Sequence, residues 1–357
     1  MAWSALRAGK ALALLSARSL GLYSAIKRGE WRRQQLLILG YHGVAQKDEH
    51  KWRPGLYMSP ELFAERLETI SQLGCTVLRL DDAITRLQQG TLPPLSVVLT
   101  FDDGYFNFYE SAYPILKRFN YPATVYQTTF YSCSQKPVFN LVRSYVLWKG
   151  AGKTIDARPI LGRRGSLDLR TERDVEIANV EIFQFAKSAA LCAEERQRLV
   201  ENLADALEVD YGEISRRRMF ELMTKRELAQ IVQSGVDLQL HTHRHRVPAT
   251  KELFLKELID NKVVLEEIGQ SKAVHLAYPS GVYRQELFPW LAEFGIRSAT
   301  TCEPGLATRE SNLACIPRFI DTSQISRLEF EAWLCGIRKL LPGRVEMMRN
   351  SRSVSSN

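Results

Sequence analysis

No Cys-x-x-Cys pair occurs in this chain, and its six cysteines (Cys75, Cys133, Cys192, Cys302, Cys315 and Cys335) are scattered. That pattern points to reduced thiols serving as core filler in a cytoplasmic setting. No apolar run approaches the roughly 20 residues that a membrane-spanning helix needs. Internal repeats and extended low-complexity tracts are also missing. Histidine is scarce, with six in 357 residues. What remains is ordinary: 45% hydrophobic and 25% charged residues, the balance of a soluble globular protein. The length suits one barrel-sized domain with extensions, or two ordinary domains.

Positive charge is confined to the ends. Residues 1–33 carry seven cations (Arg7, Lys10, Arg18, Lys27, Arg28, Arg32 and Arg33) against Glu30, and so +6. Residues 338–357 carry +4, which leaves the body near −2 of the total +8. A nucleic-acid-binding body would need a basic face on the folded domain, so that class is excluded. Residues 1–33 mix these cations with Leu6, Leu12, Leu14, Leu15, Leu20, Leu22, Tyr23 and Ile26. Three readings stand open. One is a basic helix on an anionic membrane surface or a partner. The second is a helix packed on the body or a frayed terminus. The third is an atypical signal peptide, disfavoured by Arg18 inside the apolar stretch and by the lack of an Ala-x-Ala site. The expected location is cytoplasmic or peripheral on the inner membrane face, with secretion the lesser alternative.

Against this background two short stretches stand out. Thr100-Phe101-Asp102-Asp103-Gly104-Tyr105 ends an apolar run, Leu95 to Leu99, that reads as a buried strand. His241-Thr242-His243-Arg244-His245 follows another apolar stretch, Val236 to Leu240, and offers imidazoles four residues apart. Asp-Asp-Gly alone suits an ordinary turn, and histidine clusters do occur on surfaces. Together, however, one Asp and two His make a ligand set for Zn²⁺ or a similar divalent ion with open positions. The neighbouring Asp is then free to act as a base. Both stretches follow predicted strands, where barrel enzymes place their chemistry. These are the parts of a metal-assisted hydrolase.

The stretch Thr100 to Tyr105 resembles the first motif of the polysaccharide deacetylases, the NodB-homology enzymes of carbohydrate esterase family 4. His241-Thr242-x-x-His245 resembles their second motif, His-Ser/Thr-x-x-His. The similarity takes in Leu39-Gly40-Tyr41-His42-Gly43-Val44, Ser59-Pro60-Glu61-x-Phe63, Ala112-Tyr113-Pro114-Ile115-Leu116, Tyr121-Pro122-Ala123-Thr124, Ala277-Tyr278-Pro279-Ser280-Gly281 and Ile316-Pro317-Arg318. It implies a distorted, partly open (β/α) barrel over about residues 36–325, with residues 1–33 and 326–357 outside it.

The resemblance also implies roles. Asp103, His241 and His245 would hold the metal, expected to be Zn²⁺, though Co²⁺ and Ni²⁺ suit the same ligands. Asp102 would be the general base, and His243 would point elsewhere. The histidine that many members carry in a C-terminal motif as general acid is missing, because none follows His275. His42, at the tip of the first strand, takes that place, as in the circularly permuted branch that includes the intercellular-adhesin type enzymes. His275 falls at the wrong end of its strand, and His50 lies in a polar loop. The family's Arg-x-Pro-Tyr/Phe-Gly motif appears as Tyr278-Pro279-Ser280-Gly281, without its arginine, and Arg318 is the substitute candidate. Tyr105 and Ser280 are candidates for the substrate or the oxyanion. His245 is followed by Arg246 where the family has Pro.

Strand–helix alternation predicts an α/β architecture with parallel pairing. Thr224 with Glu227 matches a capping box ahead of a helix. Residues 132–222 break the alternation and predict a helical insertion, either a lid over the site or a buttress. Tyr105, Phe106, Tyr109, Trp148 and Tyr278 are candidates for stacking on sugar rings. The expected activity is removal of acetyl groups from an N-acetylated amino-sugar polymer or a sugar-lipid precursor. The alternatives are O-deacetylation of a glycan and a non-catalytic glycan-binding protein. The last has no need for a base beside the metal ligand.

Overall fold

Eight short strands, all parallel, run through the body: β1 (Leu37–Tyr41), β2 (Thr76–Val77), β3 (Ser96–Phe101), β4 (Thr124–Gln127), β5 (Asp237–Leu240), β6 (His275–Ala277), β7 (Ser298–Thr300) and β8 (Phe319–Ile320). The computed structural model describes residues 2–134, 136–269 and 272–337. Their order across the sheet is β7-β6-β5-β4-β3-β1-β8, with β2 beside the N-terminal half of β3. A further parallel bridge joins Thr300 to Ile316, just ahead of β8. The sheet therefore curls into the expected distorted, partly open (β/α) barrel.

Every residue of β1, β3 and β4 is buried, which is why β1 and β3 read as largely apolar runs and not as alternations. One face packs on helices through Phe63, Leu67, Leu228, Ile231, Phe254 and Leu258. The helix ends follow their sequence signals. Ser59 caps Pro60–Gln72 by accepting from Leu62 N–H, and Thr224 with Glu227 forms the capping box of Lys225–Gln233. The helix after β3 starts as a π-turn, Phe108–Ala112, before Tyr113–Phe119. Pro114 has no N–H to give an α-helical bond at that point, a local cause for the widened turn.

The insertion has its own apolar core, built on the helices Phe139–Lys149, Glu172–Ser188 and Ala193–Ala206. The Gly162-Arg163-Arg164-Gly165 stretch lies between the antiparallel strands Thr154–Asp156 and Ser166–Asp168. The insertion braces the loop after β1: Tyr145 and Lys149 both bind Asp48, and Gln46 donates to Arg217 O at 2.9 Å. It also bridges Tyr105 through Leu222. These are contacts of a buttress.

Residues 2–33 form helices that dock on the helix Arg327–Cys335. Leu14 and Tyr23 are buried there with Ala332 and Cys335, and Arg18 pairs with Glu331 at 3.1 Å. Arg32 is fully buried and donates to the carbonyls of Leu334 (3.0 Å) and Gln35 (2.6 Å). The helix Arg327–Cys335 in turn sends Phe330 and Leu334 into the barrel core, so it belongs to the same body. The basic C-terminal residues 338–357 lie outside the described residues.

Candidate metal and catalytic site

Strand register gathers the motifs at one end. Tyr41 pairs with Phe101, so the tips of β1 and β3 place His42 beside Asp102. Gln127 pairs with Leu240, and Leu240 with Leu276, which brings Thr128, His241 and Ala277 together. All of these lie at or just past the C-terminal ends of their strands, where a parallel barrel leaves room for a site.

Asp103 Oδ1 lies 3.3 Å from His241 Nε2 and 3.2 Å from His245 Nε2. These three residues form the one group of potential metal ligands found among the described residues, their ligand atoms all within 4.8 Å of one another. His241 Nδ1 sits 2.8 Å from Ala277 O. A carbonyl oxygen only accepts, so Nδ1 carries the proton and the Nε2 lone pair faces Asp103. Burial disfavours charge on His241, yet Asp103 and Asp102 together push its pKa above the ordinary value. Burial likewise works to raise the Asp103 carboxyl, but His245 and His241 outweigh it and hold it below the carboxylate range. A carboxylate and two convergent imidazole nitrogens demanding positive charge between them fit a divalent cation.

Three residues of this cluster adopt left-handed backbone conformations without being glycine: Asp103 (φ 68°), Thr242 (φ 61°) and His245 (φ 54°). Each costs on the order of 1 kcal/mol or more, and such strain persists where the surroundings over-determine it. Gly104 (φ 80°) adds a tight approach, since a Cβ there would lie 1.8 Å from Gln127 Oε1. Gln127 in turn donates to Asp103 O at 3.3 Å and Thr128 O at 2.6 Å, fixing the turn that presents the carboxylates.

Asp102 stands apart from the trio. Arg318 Nη1 and Nη2 donate to its two oxygens at 2.6 Å each. The same guanidinium donates to Thr100 Oγ1 (3.2 Å) and Thr301 O (3.2 Å), and all of it is buried. Burial raises the Asp102 carboxyl, Arg318 and His241 lower it, and the balance falls below the ordinary value. His42 Nε2 lies 3.8 Å from Asp102 Oδ2, beyond hydrogen-bond reach, with its side chain partly open to solvent. The pair of carboxylates is thus split between a cation-binding environment and an arginine-held one.

Other expectations divide. His243 does turn away, its Nδ1 pairing with Thr129 Oγ1 at 2.8 Å. His275 is buried at the start of β6, against Ser298 Oγ and Asp81. Ser280 is exposed in the turn Pro279–Gly281 after β6, with φ 55°. The stacking expectation fails for Tyr105 and Tyr278, which are buried. Tyr278 donates to Ala314 O at 2.8 Å, and Tyr105 packs on Tyr57 in the insertion core. Trp148 packs on Tyr145 in that core, and Phe106 lies under Arg218.

Two positioning residues escaped the sequence reading. Asn261 accepts from His241 N–H at 2.9 Å and donates to Gln127 O and Thr129 Oγ1 at 3.0 Å each. Buried Glu257 receives Arg244 N–H (2.7 Å), Arg244 Nη1 (3.1 Å) and Arg246 Nε (2.8 Å), binding the His loop to the helix Lys251–Glu267. Their spacing was the available signal, two polar residues four apart beside the apolar stripe Phe254, Leu258 and Leu265. Arg246 N–H also donates to Thr242 Oγ1 at 3.0 Å, a bond that proline, lacking the N–H, would forgo.

The family model for polysaccharide deacetylase matches residues 89–145 and 200–299, which carry both strand-tip motifs and omit most of the insertion. The chain carries a polysaccharide deacetylase domain. The deacetylase domain is 20% identical over 303 residues to YxkH of Bacillus subtilis, covering 84% of this chain and 76% of that protein. It is 26% identical over 113 residues to the poly-beta-1,6-N-acetyl-D-glucosamine N-deacetylase of Staphylococcus epidermidis, covering 29% of this chain and 39% of the other. Among solved structures, the Streptococcus pyogenes deacetylase PplD superposes with a TM-score of 0.55 at 18% identity, over 86% of this chain and 99% of its own. IcaB from Ammonifex degensii gives 0.52 at 17%, over 85% and 97%. At such identities these structures establish a shared fold.

Proposed function

We propose that this chain is a metal-dependent hydrolase that removes acetyl groups from an N-acetylated amino-sugar polymer or a sugar-lipid precursor. The observation that carries the reading is the separation of the two carboxylates. Asp103 faces two imidazole nitrogens, while Asp102, the next residue, is held by Arg318. A non-catalytic glycan-binding protein would need neither arrangement. One relative, named for N-deacetylation of a β-1,6-linked N-acetylglucosamine polymer, favours an N-acetyl glycan over an O-acetyl one.

Asp103, His241 and His245 would hold the ion, expected to be Zn²⁺. A divalent cation there supplies polarisation of the acetyl carbonyl and acidification of the attacking water. The remaining work falls to the chain. Arg318 keeps Asp102 ionised and aimed, so that a carboxylate oxygen takes the proton from that water. Asp102 and His42 flank the same position, and His42 Nε2 donates a proton to the departing amine nitrogen. Tyr105, its side chain buried, would contribute its backbone N–H to the developing oxyanion, and Ser280 borders the opening from the β6 turn.

The test is acetate release from acetylated glucosamine oligomers, using protein stripped of metal and reloaded with Zn²⁺, beside Asp102→Asn. Release that needs metal, and that disappears in the variant while its zinc content stays at one per chain, supports the proposal. Zinc binding without acetate from any N-acetyl substrate favours the glycan-binding alternative. Failure to bind zinc at all would refute the site.

A further inference from the structure

The helices of residues 2–33 have two apolar sides. The inner one is accounted for: Leu14, Ala17, Tyr23 and Ile26 pack with the helix Arg327–Cys335. The outer one is bare. Leu12 is 66% exposed, Leu15 47%, Leu20 85% and Leu22 43%, whereas the ring of Trp31 lies against Gly336 on the docked side. These leucines are four of the twelve large apolar side chains exposed among the described residues, gathered within eleven positions. On a helix, Leu12 lies about 160° and Leu15 about 100° from Leu14, so docking through Leu14 leaves both turned outward.

The segment that carries these leucines is also strongly basic. Residues 1–33 carry +6 by sequence. Arg32 is taken up inside the fold and Arg18 is paired with Glu331, but both serve to fix the segment rigidly to the domain. Arg7, Lys10, Lys27, Arg28 and Arg33 remain in the sequence against Glu30 alone. No described helix is long and apolar enough to cross a membrane.

We propose that the outer side of residues 12–22 is a lipid-facing surface that seats the folded protein on an anionic bilayer. Exposed leucines on a segment with excess cations are what an interfacial helix requires, with apolar groups entering the acyl boundary and cations meeting lipid phosphates. A second copy of the chain fits less well, because a symmetric pairing through this side would bring two +6 segments together. The site of acetyl removal and this surface are separate features, so the proposal stands or falls independently of the proposed activity.

The experiment is co-sedimentation of the full chain with vesicles of phosphatidylcholine alone or mixed equally with phosphatidylglycerol, at low and high salt. The comparison is the triple variant Leu12→Glu, Leu15→Glu, Leu20→Glu, whose side chains point away from the body. Wild type should bind the mixed vesicles, bind phosphatidylcholine at least tenfold more weakly, and lose affinity with salt. The variant should partition at least tenfold less, with unchanged circular dichroism and zinc content. Absence of binding to the anionic vesicles, or equal binding by the variant, would overturn the proposal. So would light scattering that shows a dimer abolished by the same substitutions without vesicle binding, which would assign the surface to a second copy.

Discussion

Arg318 and Asp102 are 216 positions apart in the chain, and both are buried where the guanidinium takes one carboxylate oxygen on each Nη at 2.6 Å. The pair replaces the arginine missing beside Tyr278-Pro279. A lysine at 318 would keep the charge but lose the fork that sets the carboxylate plane. Arg318→Lys should therefore lower kcat by about 10–100-fold with little change in KM or zinc content. Arg318→Met leaves the carboxylate buried without a counter-charge and should cost about 3–5 kcal/mol of stability in urea denaturation. Equal kcat in the lysine variant would show that orientation of Asp102 is unimportant.

Removing His42 should separate two kinds of leaving group. An amine needs a proton as it departs, whereas a nitrophenolate does not. His42→Ala is expected to cut acetate release from an N-acetylated sugar by about 10²–10⁴-fold. Hydrolysis of 4-nitrophenyl acetate should fall by less than about tenfold, while Asp102→Asn depresses both. A parallel loss on both substrates in His42→Ala would move His42 out of the acid role.

Glu257 ties Arg244 and Arg246 to the helix behind the His loop. Both arginines are partly solvent-exposed, so losing the carboxylate does not strand a buried cation. Glu257→Gln should therefore destabilise only modestly, by about 1–2 kcal/mol. Its sharper effect is on the strained His245, and zinc affinity by competitive chelation should weaken about 10–100-fold. Unaltered zinc affinity would reduce Glu257 to a purely structural brace.

His275 predicts a pH effect on stability. It lies within ion-pair distance of Asp81 (3.1 Å), which would favour its charged form, yet its pKa is pushed down to about 4 by burial. Burial wins because Asp81 is more than half exposed and is shared with Arg297. As pH falls below about 6.5, the unfolded chain takes up a proton that the folded one refuses until about pH 4. Stability should thus drop across that window, by about 2 kcal/mol from His275 between pH 7.5 and 5. Urea denaturation of His275→Asn should show that part of the slope removed. An identical slope would place the acid sensitivity elsewhere.

Much of the barrel and both metal-site motifs were legible because their signals are local. Fully buried parallel strands leave unbroken apolar runs, and a motif at a strand tip keeps its spacing whatever the rest of the chain does. Arg318 was legible only as a candidate, since nothing near it in sequence reveals a partner 216 positions away. The aromatic residues misled for a physical reason: Tyr105 and Tyr278 border the motifs along the chain, but their rings turn into the insertion core and the barrel wall. The N-terminal helices were ambiguous because leucine occurs on both of their sides, and only packing separates the docked side from the bare one.

The strand that brings Arg318 to Asp102 is the last one of the sheet, and it pairs with the first. A nascent chain lacking its final forty residues would already contain both metal-site motifs. It would lack Arg318, the guanidinium that binds both oxygens of Asp102. The two ends of the sequence thus meet at the proposed base, so the site is complete only once the last strand has closed on the first.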